Sequence, residues 1–453
     1  MSFESRNPTT GELLETYQEH NTNDVELRLQ SAWDCWGRWS QTALSERTAF
    51  LLRLADLLEE RVEEYARLIT LEMGKPIGEA RGEVKKAAFG ARHFAEEGAA
   101  YIKPESISGT PGRVVYESLG PILAIMPWNL PFWQVLRFFI PSALVGNTVV
   151  VKHAETVQGS ALAIEKLVRD AGGPEGLYVN LSVQRDAVAE IITDSRIRAV
   201  TVTGSVKAGR AVAQQAGLYG KKAVLELGGS DPFLVFEDAD IAKAVQLGVT
   251  SRYSNNAQSC IAAKRFLIAE SIADAYIQAF AEQAAALRVG DPLLAETKLG
   301  PQARADLRAT TERQVRDAVT AGARIVTGGE SLDGPGYFYA PTVLVDLPHD
   351  AVIAREEFFG PVALFYTFKT EEEAIRLAND TEFGLAATVW SKNIARANAV
   401  AAKIEAGAVF VNDFVRSDPR APFGGIKGSG FGRELGALGA RELTNAKLIW
   451  EGN

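Results

Sequence analysis

The sequence predicts an α/β fold: two successive doubly wound units with a small, separate β element. Three observations carry this. From Pro121 onward, short apolar runs alternate with amphipathic helical stretches, the pattern of parallel sheets built from βαβ units. The alternation restarts after "LELGGSDP", where Gly228, Gly229 and Pro232 break it. One piece, "PESISGTPGRVVYESLG", joins neither series, being polar, bracketed by glycines and strand-like around Val114–Tyr116.

Taken in order, the first hundred residues read as helices. "RTAFLLRLADLLEERVEEYARLITLEM" sets Leu51, Leu54, Leu58, Val62, Tyr65 and Ile69 on one face with charges opposite. The first α/β unit has candidate strands "ILAIM", "NTVVVK", "LYVNLS", "AVTVTG", "AVLEL" and "PFLVF", with helices over Thr156–Ala171 and Gly209–Leu218. The second has "RFLIA", "ARIVTGG", "TVLVDL", "VALFYTF", "AATVWS" and "AVFVND", with helices around Ile272–Leu287, Ala303–Ala321 and Ile394–Ile404. The expected division is 1–102 with 121–227, then 228–430, with 103–120 and 431–453 as bridging segments. The first of these is read as a hairpin for subunit contacts.

At 453 residues the chain is long enough for about two to four domains. Its 47% hydrophobic and 23% charged residues are those of a soluble globular protein. A net charge of -9 argues against nucleic acid or an anionic membrane as partner. The opening residues lack a basic segment followed by an apolar core, so no signal peptide is expected. The most apolar stretch is cut by Pro127, Pro131, Arg137 and Pro141, which suits strand, loop and helix better than a membrane span. A cytoplasmic protein is the expectation. Two cysteines without a CxxC spacing and four scattered histidines give no metal site. A Cys35–Cys260 disulfide is not expected in the cytosol.

Several stretches could carry chemistry. "TVTGSVKAG" runs from a strand through Gly204 and Ser205 into a helix. Ser205 as N-cap leaves N–H groups and a positive dipole end for a phosphate, or simply an ordinary capped helix. Neither a P-loop nor GxGxxG is present. Lys152 and Glu155 in "VVVKHAET" stand where ribose hydroxyls bind in a doubly wound sheet, or form a solvated pair. Glu226 in "KAVLELGG" is a carboxylate inside an apolar strand, suited to a general base of raised pKa or to a structural ion pair. Asn129 between two prolines is an oxyanion donor or a turn asparagine. Cys260 in "NNAQSC" has small neighbours that admit a substrate; inert burial is the alternative, and the one assigned to Cys35.

Together, "PWNLP", "VVVKHAE", "TGS", "LELGG", "NNAQSC", "EEFFGPV", "NDTEFGLAATVW" and "PFGGIKGSGFGRELG" resemble, in order and spacing, the aldehyde dehydrogenase superfamily. The resemblance covers nearly the whole chain and is strongest to bacterial succinate-semialdehyde dehydrogenases. It implies two Rossmann-related units plus a β oligomerisation element, a homodimer or homotetramer, and a cofactor-binding domain followed by a catalytic one. It further implies Cys260 as nucleophile, Glu226 as general base, and Asn129 with the Cys260 N–H as oxyanion hole. Lys152 and Glu155 match the adenosine-ribose positions, Gly204 and Ser205 the pyrophosphate turn, and Glu357 and Phe359 the nicotinamide-ribose side. Trp128 and Leu227 match other cofactor-pocket positions. Arg137 matches an arginine that grips a distal carboxylate, with an interdomain salt bridge as alternative. Ser417, Arg420 and Phe423 match the substrate mouth.

The implied reaction is oxidation of a short semialdehyde, foremost succinate semialdehyde, through a cysteine thioester. A CoA-acylating or other aldehyde dehydrogenase and a cofactor-independent cysteine esterase are the rivals. Glu155 should repel a 2′-phosphate, so NAD+ is expected over NADP+. Two departures stand out. Many relatives have glycine at Ala257, which leaves the backbone before Cys260 less free, and "SVQRDAVAEII" lacks a glycine-rich turn.

Overall fold

A computed structural model describes residues 2–452. It opens with a hairpin where only helices are expected: β1 (Ser2–Arg6) pairs antiparallel with β2 (Leu13–Gln18). Almost all of β2 is exposed, so no apolar alternation marks it, and β1 buries only Phe3 and Ser5. Four helices follow, Thr22–Trp39, Leu44–Glu60, Val62–Met73 and Ile77–Tyr101. The first is fixed by a capping box between Asn21 and Asp24. The apolar face from Leu51 to Ile69 is buried, although the helix breaks at Arg61.

β3 (Glu105–Ser106) and β4 (Gly112–Ser118) precede the first parallel series. That series is β5 (Pro121–Met126), β6 (Thr148–His153), β7 (Tyr178–Asn180), β8 (Ala199–Thr203) and β9 (Lys222–Glu226). The chain then crosses at residues 227–230 into β10 (Asp231–Val235) and β11 (Ala263–Ala269). β12 (Arg324–Thr327), β13 (Thr342–Val345), β14 (Val362–Phe368), β15 (Ala386–Trp390) and β16 (Ala408–Val411) complete this second sheet. β17 (Gly430–Phe431) and β18 (Thr444–Trp450) end the chain's strands.

The first sheet has the order β17-β9-β8-β5-β6-β7 and the second β12-β13-β14-β11-β10-β15-β16. Both are parallel except for one edge strand each. β12 pairs antiparallel with β13 because no helix lies between them, and a parallel neighbour needs a crossover of a dozen or more residues, usually helical. β18, β4 and β3 form a separate antiparallel sheet, whose outer strand leaves Leu448 and Trp450 exposed.

Strand order positions the site. In the first sheet β5 leads outward to β6 and β7, while β8 and β9 lie on its other side. The order therefore reverses between β5 and β8, and the crevice beyond their carboxyl ends is where ligands of such sheets bind. Asn129 follows β5 and Ser205 follows β8 there. β17 returns to this sheet and pairs Gly430 opposite Glu226, bringing the C-terminal segment beside the carboxyl end of β9. Among the described residues no helix is long and apolar enough to cross a membrane.

Candidate active site

Cys260 is held by an unusual backbone turn. After the helix Ile241–Tyr253, three successive residues adopt left-handed conformations: Asn255 (φ 56), Asn256 (φ 54) and Ala257 (φ 62). Such residues cost about 1–2 kcal/mol each unless the surroundings hold them, with Asn the best tolerated non-glycine. Here they are held. Asn256 Nδ2 donates to the carbonyls of Gly74 (2.8 Å) and Pro301 (2.9 Å), and its Oδ1 accepts from Gly300 N (2.7 Å). The fully buried Arg252 donates to the carbonyls of Ala257, Phe358, Gly360 and Ala263. Ala257 thus occupies a position that favours glycine, and its methyl is buried.

The same turn aligns Asn129 with the cysteine. Asn129 Nδ2 donates to Gln258 O at 2.8 Å, and Asn255 Nδ2 returns a bond to Asn129 O at 3.0 Å. One N–H of the Asn129 amide remains for a second acceptor. Asn129 lies just before the helix Trp133–Val145, which has no side-chain cap of its own. Glu83, from the long helix Ile77–Tyr101, accepts from Phe132 N (2.8 Å) and Trp133 N (2.9 Å) instead, and its charge is matched by buried Lys75.

Cys260 is half-buried and free, as is the buried Cys35. Burial pushes the Cys260 thiol up to about 12, with Lys264 and Arg137 opposing. Lys264 Nζ donates to Ser259 O (2.7 Å) and Cys260 O (2.6 Å) and stands 3.5 Å from Glu357 Oε1. Glu357 also accepts from Gly229 N at 3.0 Å, and a Cβ on Gly228 would collide with its carboxylate. In "LELGG", Gly228 is therefore room for Glu357, while a Cβ on Gly229 would lie 2.6 Å from the Cys260 carbonyl.

Glu226 is 2% exposed, and neither carboxylate oxygen has a hydrogen-bond partner among the described residues. Burial, and then the neighbouring Glu434, push its pKa up to about 8 against Arg137 and Arg433. A Cβ at Gly424 would lie 2.6 Å from Glu226 Oε1, so the missing side chain leaves space at the carboxylate. Glu434 is itself ion-paired with Arg137. A buried carboxylate of raised pKa with free lone pairs, close enough for its charge to act on the half-buried Cys260, can accept a proton from a thiol or a water.

The cofactor positions lie along the carboxyl edge of the first sheet. Ser205 caps the helix Val206–Leu218, its hydroxyl accepting from Ala208 N at 3.3 Å. The N–H of Gly204 is taken by Glu226 O (3.0 Å), and Leu227 is buried against Gly209 of that helix, where a Cβ would clash. Lys152 Nζ lies 3.2 Å from Glu155 Oε1. The exposed Arg185 also approaches Glu155 Oε1, at 3.5 Å, from the segment without a glycine-rich turn. Two cations therefore flank the carboxylate on which the expected NAD+ preference rests. Trp128 and Phe359 meet edge to face at 6.0 Å. A helix N-terminus, a lysine–carboxylate pair at the neighbouring strand end and open space at Gly204 fit a dinucleotide laid along this edge.

Of the substrate-mouth residues, Arg137 and Phe423 come together, the guanidinium lying 4.6 Å from the ring centre. Ser417 accepts from Trp133 Nε1 (2.9 Å) and Lys86 Nζ (2.7 Å). Arg420 lines the same cleft as Ser417 and Phe423, with its side chain largely exposed, forked onto Asp418 and set over Phe89. Sequence reasoning overlooked Lys86, Lys264 and Glu434. Glu434 had a signal as a lone carboxylate in the glycine-rich "GFGRELG", and Lys264 had one in the "AAKR" that follows Cys260, while Lys86 had none.

Residues 1–449 match the model of the aldehyde dehydrogenase family. The succinate semialdehyde dehydrogenase of Escherichia coli named for NAD(P)+ is 46% identical over 449 residues, covering 99% of this chain and 97% of that protein. An NADP+ succinate-semialdehyde dehydrogenase of Mycolicibacterium paratuberculosis is 42% identical over 459 residues, covering 100% and 97%. The crystal structure of the Streptococcus pyogenes succinic semialdehyde dehydrogenase with NADP+ superposes with a TM-score of 0.97 at 37% identity, covering all of both chains.

Proposed function

The chain belongs to the aldehyde dehydrogenase family, and from that premise we propose that it oxidises succinate semialdehyde to succinate with NAD(P)+. The observation that carries the chemistry is Glu226, a buried carboxylate whose two oxygens have no hydrogen-bond partner among the described residues and whose charge acts on Cys260. The substrate reading is supported by relatives named for succinate semialdehyde and by Arg137, a buried cation paired with Glu434 whose charge acts on both Glu226 and Cys260.

The nicotinamide, when bound, supplies the hydride acceptor. Lys152, Glu155, Ser205 and Glu357 would hold the dinucleotide, with Trp128 and Phe359 beside its reactive end. Cys260 attacks the aldehyde carbon and forms a C–S bond. Its proton passes to Glu226 during attack, because a thiol with so high a pKa is almost wholly protonated at neutral pH. Asn129 Nδ2 and the Cys260 N–H hold the developing oxyanion. After the carbon has lost its hydride, Cys260 carries a thioester. Glu226 gives the cysteine's proton to solvent and, a carboxylate again, takes a proton from water. The resulting hydroxide adds to the carbonyl, the C–S bond breaks as the Cys260 sulfur takes that proton from Glu226, and the acid leaves.

Arg185 gives a 2′-phosphate a cationic partner, so both NAD+ and NADP+ are accepted. Arg185→Glu lowers kcat/KM with NADP+ more than with NAD+, and equal losses would refute that role. Residues 1–102 with 121–227 bind the cofactor, 228–430 carry the nucleophile, and the sheet of β18, β4 and β3 joins copies of the chain.

The test is product analysis with succinate semialdehyde and NAD(P)+, with and without CoA. Succinate and reduced cofactor in equal amounts, absent in Cys260→Ala, are expected. Acyl-CoA as product, or hydrolysis of an ester without cofactor as the main activity, would overturn the reading.

A further inference from the structure

The environment of Ser417 contains more donors than acceptors. Its Oγ accepts from both Lys86 Nζ (2.7 Å) and Trp133 Nε1 (2.9 Å). A hydroxyl that accepts twice must turn its own proton elsewhere, and among the described residues that proton has no acceptor. Lys86 Nζ has only this one hydrogen-bond acceptor among the described residues, so two of its N–H groups are left over. One turn along the Trp133 helix, Arg137 Nη2 is buried and also unpartnered. Lys86 Nζ stands 4.8 Å over the Trp133 ring, which holds its ammonium against the indole that also bonds Ser417.

The nearby carboxylates are already engaged. Glu434 pairs with Arg137, Asp418 is forked by Arg420, and Glu83 is matched by Lys75. Lys86 and the Ser417 hydroxyl thus meet at Trp133 with hydrogens to donate, and Arg137, one turn along, is the charged group that acts most on Lys86. Their complement is an anion with two acceptor oxygens.

We propose that Lys86 is a specificity-determining residue, which with the Ser417 hydroxyl and Arg137 takes the distal carboxylate of the semialdehyde. This rests on the substrate reading above and adds to it a second cation from the helix Ile77–Tyr101. Trp133 is the positioning residue: its indole N–H and ring hold Ser417 and Lys86 in place.

The charge of Lys86 is conditional. Burial, and then Arg137, lower its pKa to about 8, with Asp418 and Glu83 opposing and Arg416 adding to the fall. A lowered lysine pKa means that the charge is present below about pH 8 and lost above it. Recognition of the carboxylate therefore weakens as pH rises through that value, whereas recognition of an uncharged aldehyde does not.

The experiment compares kcat/KM for succinate semialdehyde with that for butanal, which has the same chain length and no carboxylate. It uses the wild type, Lys86→Met, Lys86→Arg and Ser417→Ala. Lys86→Met should lower the ratio on the order of tenfold or more, through KM for the semialdehyde, as expected for a lost charge-assisted hydrogen bond. Lys86→Arg should restore most of it, and Ser417→Ala should lower it several-fold. The wild-type ratio should fall as pH passes about 8, and the Lys86→Met ratio should stay flat. An unchanged ratio in Lys86→Met, or equal losses for both aldehydes, would overturn the proposal. A wild type that does not prefer the semialdehyde to butanal would instead overturn the substrate reading, and this inference with it. Should Lys86→Met fail to fold, the Ser417→Ala ratio and the wild-type pH profile decide the matter.

Discussion

The turn that carries Cys260 and the pocket it faces are built on opposite terms. In the turn, polar side chains are committed to the backbone. Arg252 reaches four carbonyls and Asn256 makes three hydrogen bonds, and together they hold three left-handed residues in line. In the pocket, among the described residues, Glu226 has no hydrogen-bond partner and Arg137, Lys86 and Ser417 keep hydrogens without acceptors. Both regions are buried and polar. One is held mainly by bonds the protein makes to its own backbone, with only Arg252 Nε, Asn255 Oδ1 and Gln258 Nε2 left over among the turn's described side chains. The other is left to be completed by what binds, which is where raised and lowered pKa values collect.

Substitutions on the two sides should fail in different ways. Asn129→Ala, on the pocket side, removes an oxyanion donor and should lower kcat by about 10²–10³-fold with little change in thermal midpoint. A loss below tenfold in steady-state assays would deny Asn129 that role. Asn256→Ala, on the turn side, leaves two carbonyls and one N–H unpaired and should cost about 3 kcal/mol of stability. Denaturation should show it, and an unchanged midpoint would mean that the turn is held by something else.

The pH profile separates the regions further. Glu226 must be a carboxylate to activate water, and its pKa is raised to about 8 by burial and by Glu434. Thioester hydrolysis should therefore rise with pH through about 8. Glu434→Gln removes a like charge and frees Arg137, both of which favour the carboxylate, so the midpoint should move down. A midpoint that stays or rises would contradict the coupling. The smallest effect is at Ala257. Glycine there relieves the left-handed strain but loosens the unfolded chain, and the thermal midpoint should rise by only about 1 °C. A fall of several degrees would show that the buried methyl matters more than the backbone.

Much of this was legible in the sequence for a definite reason. Cys260, Glu226 and Asn129 are candidates because each is a reactive residue at a break between a strand or helix and a loop, and the roles proposed for them come from the family resemblance. The parallel strands are legible because they are buried on both faces and read as apolar runs. What was not legible depends on distant pairing. Glu434 meets Glu226 only because β17 returns to β9, and Lys86 meets Ser417 across 331 residues. Arg185 reaches Glu155 from a segment notable in sequence only for the glycines it lacks. The β1–β2 hairpin escaped because its second strand has no buried face to set a pattern.

The central claim is that Cys260 forms the thioester and Glu226 hydrolyses it. Rapid mixing of Glu226→Gln with succinate semialdehyde and NAD(P)+ tests it most directly. The account predicts a burst of reduced cofactor of about one equivalent per site, slow turnover afterwards, and a succinyl group on Cys260 detected by mass spectrometry. Full steady-state turnover in Glu226→Gln, or a burst without an adduct on Cys260, would contradict it.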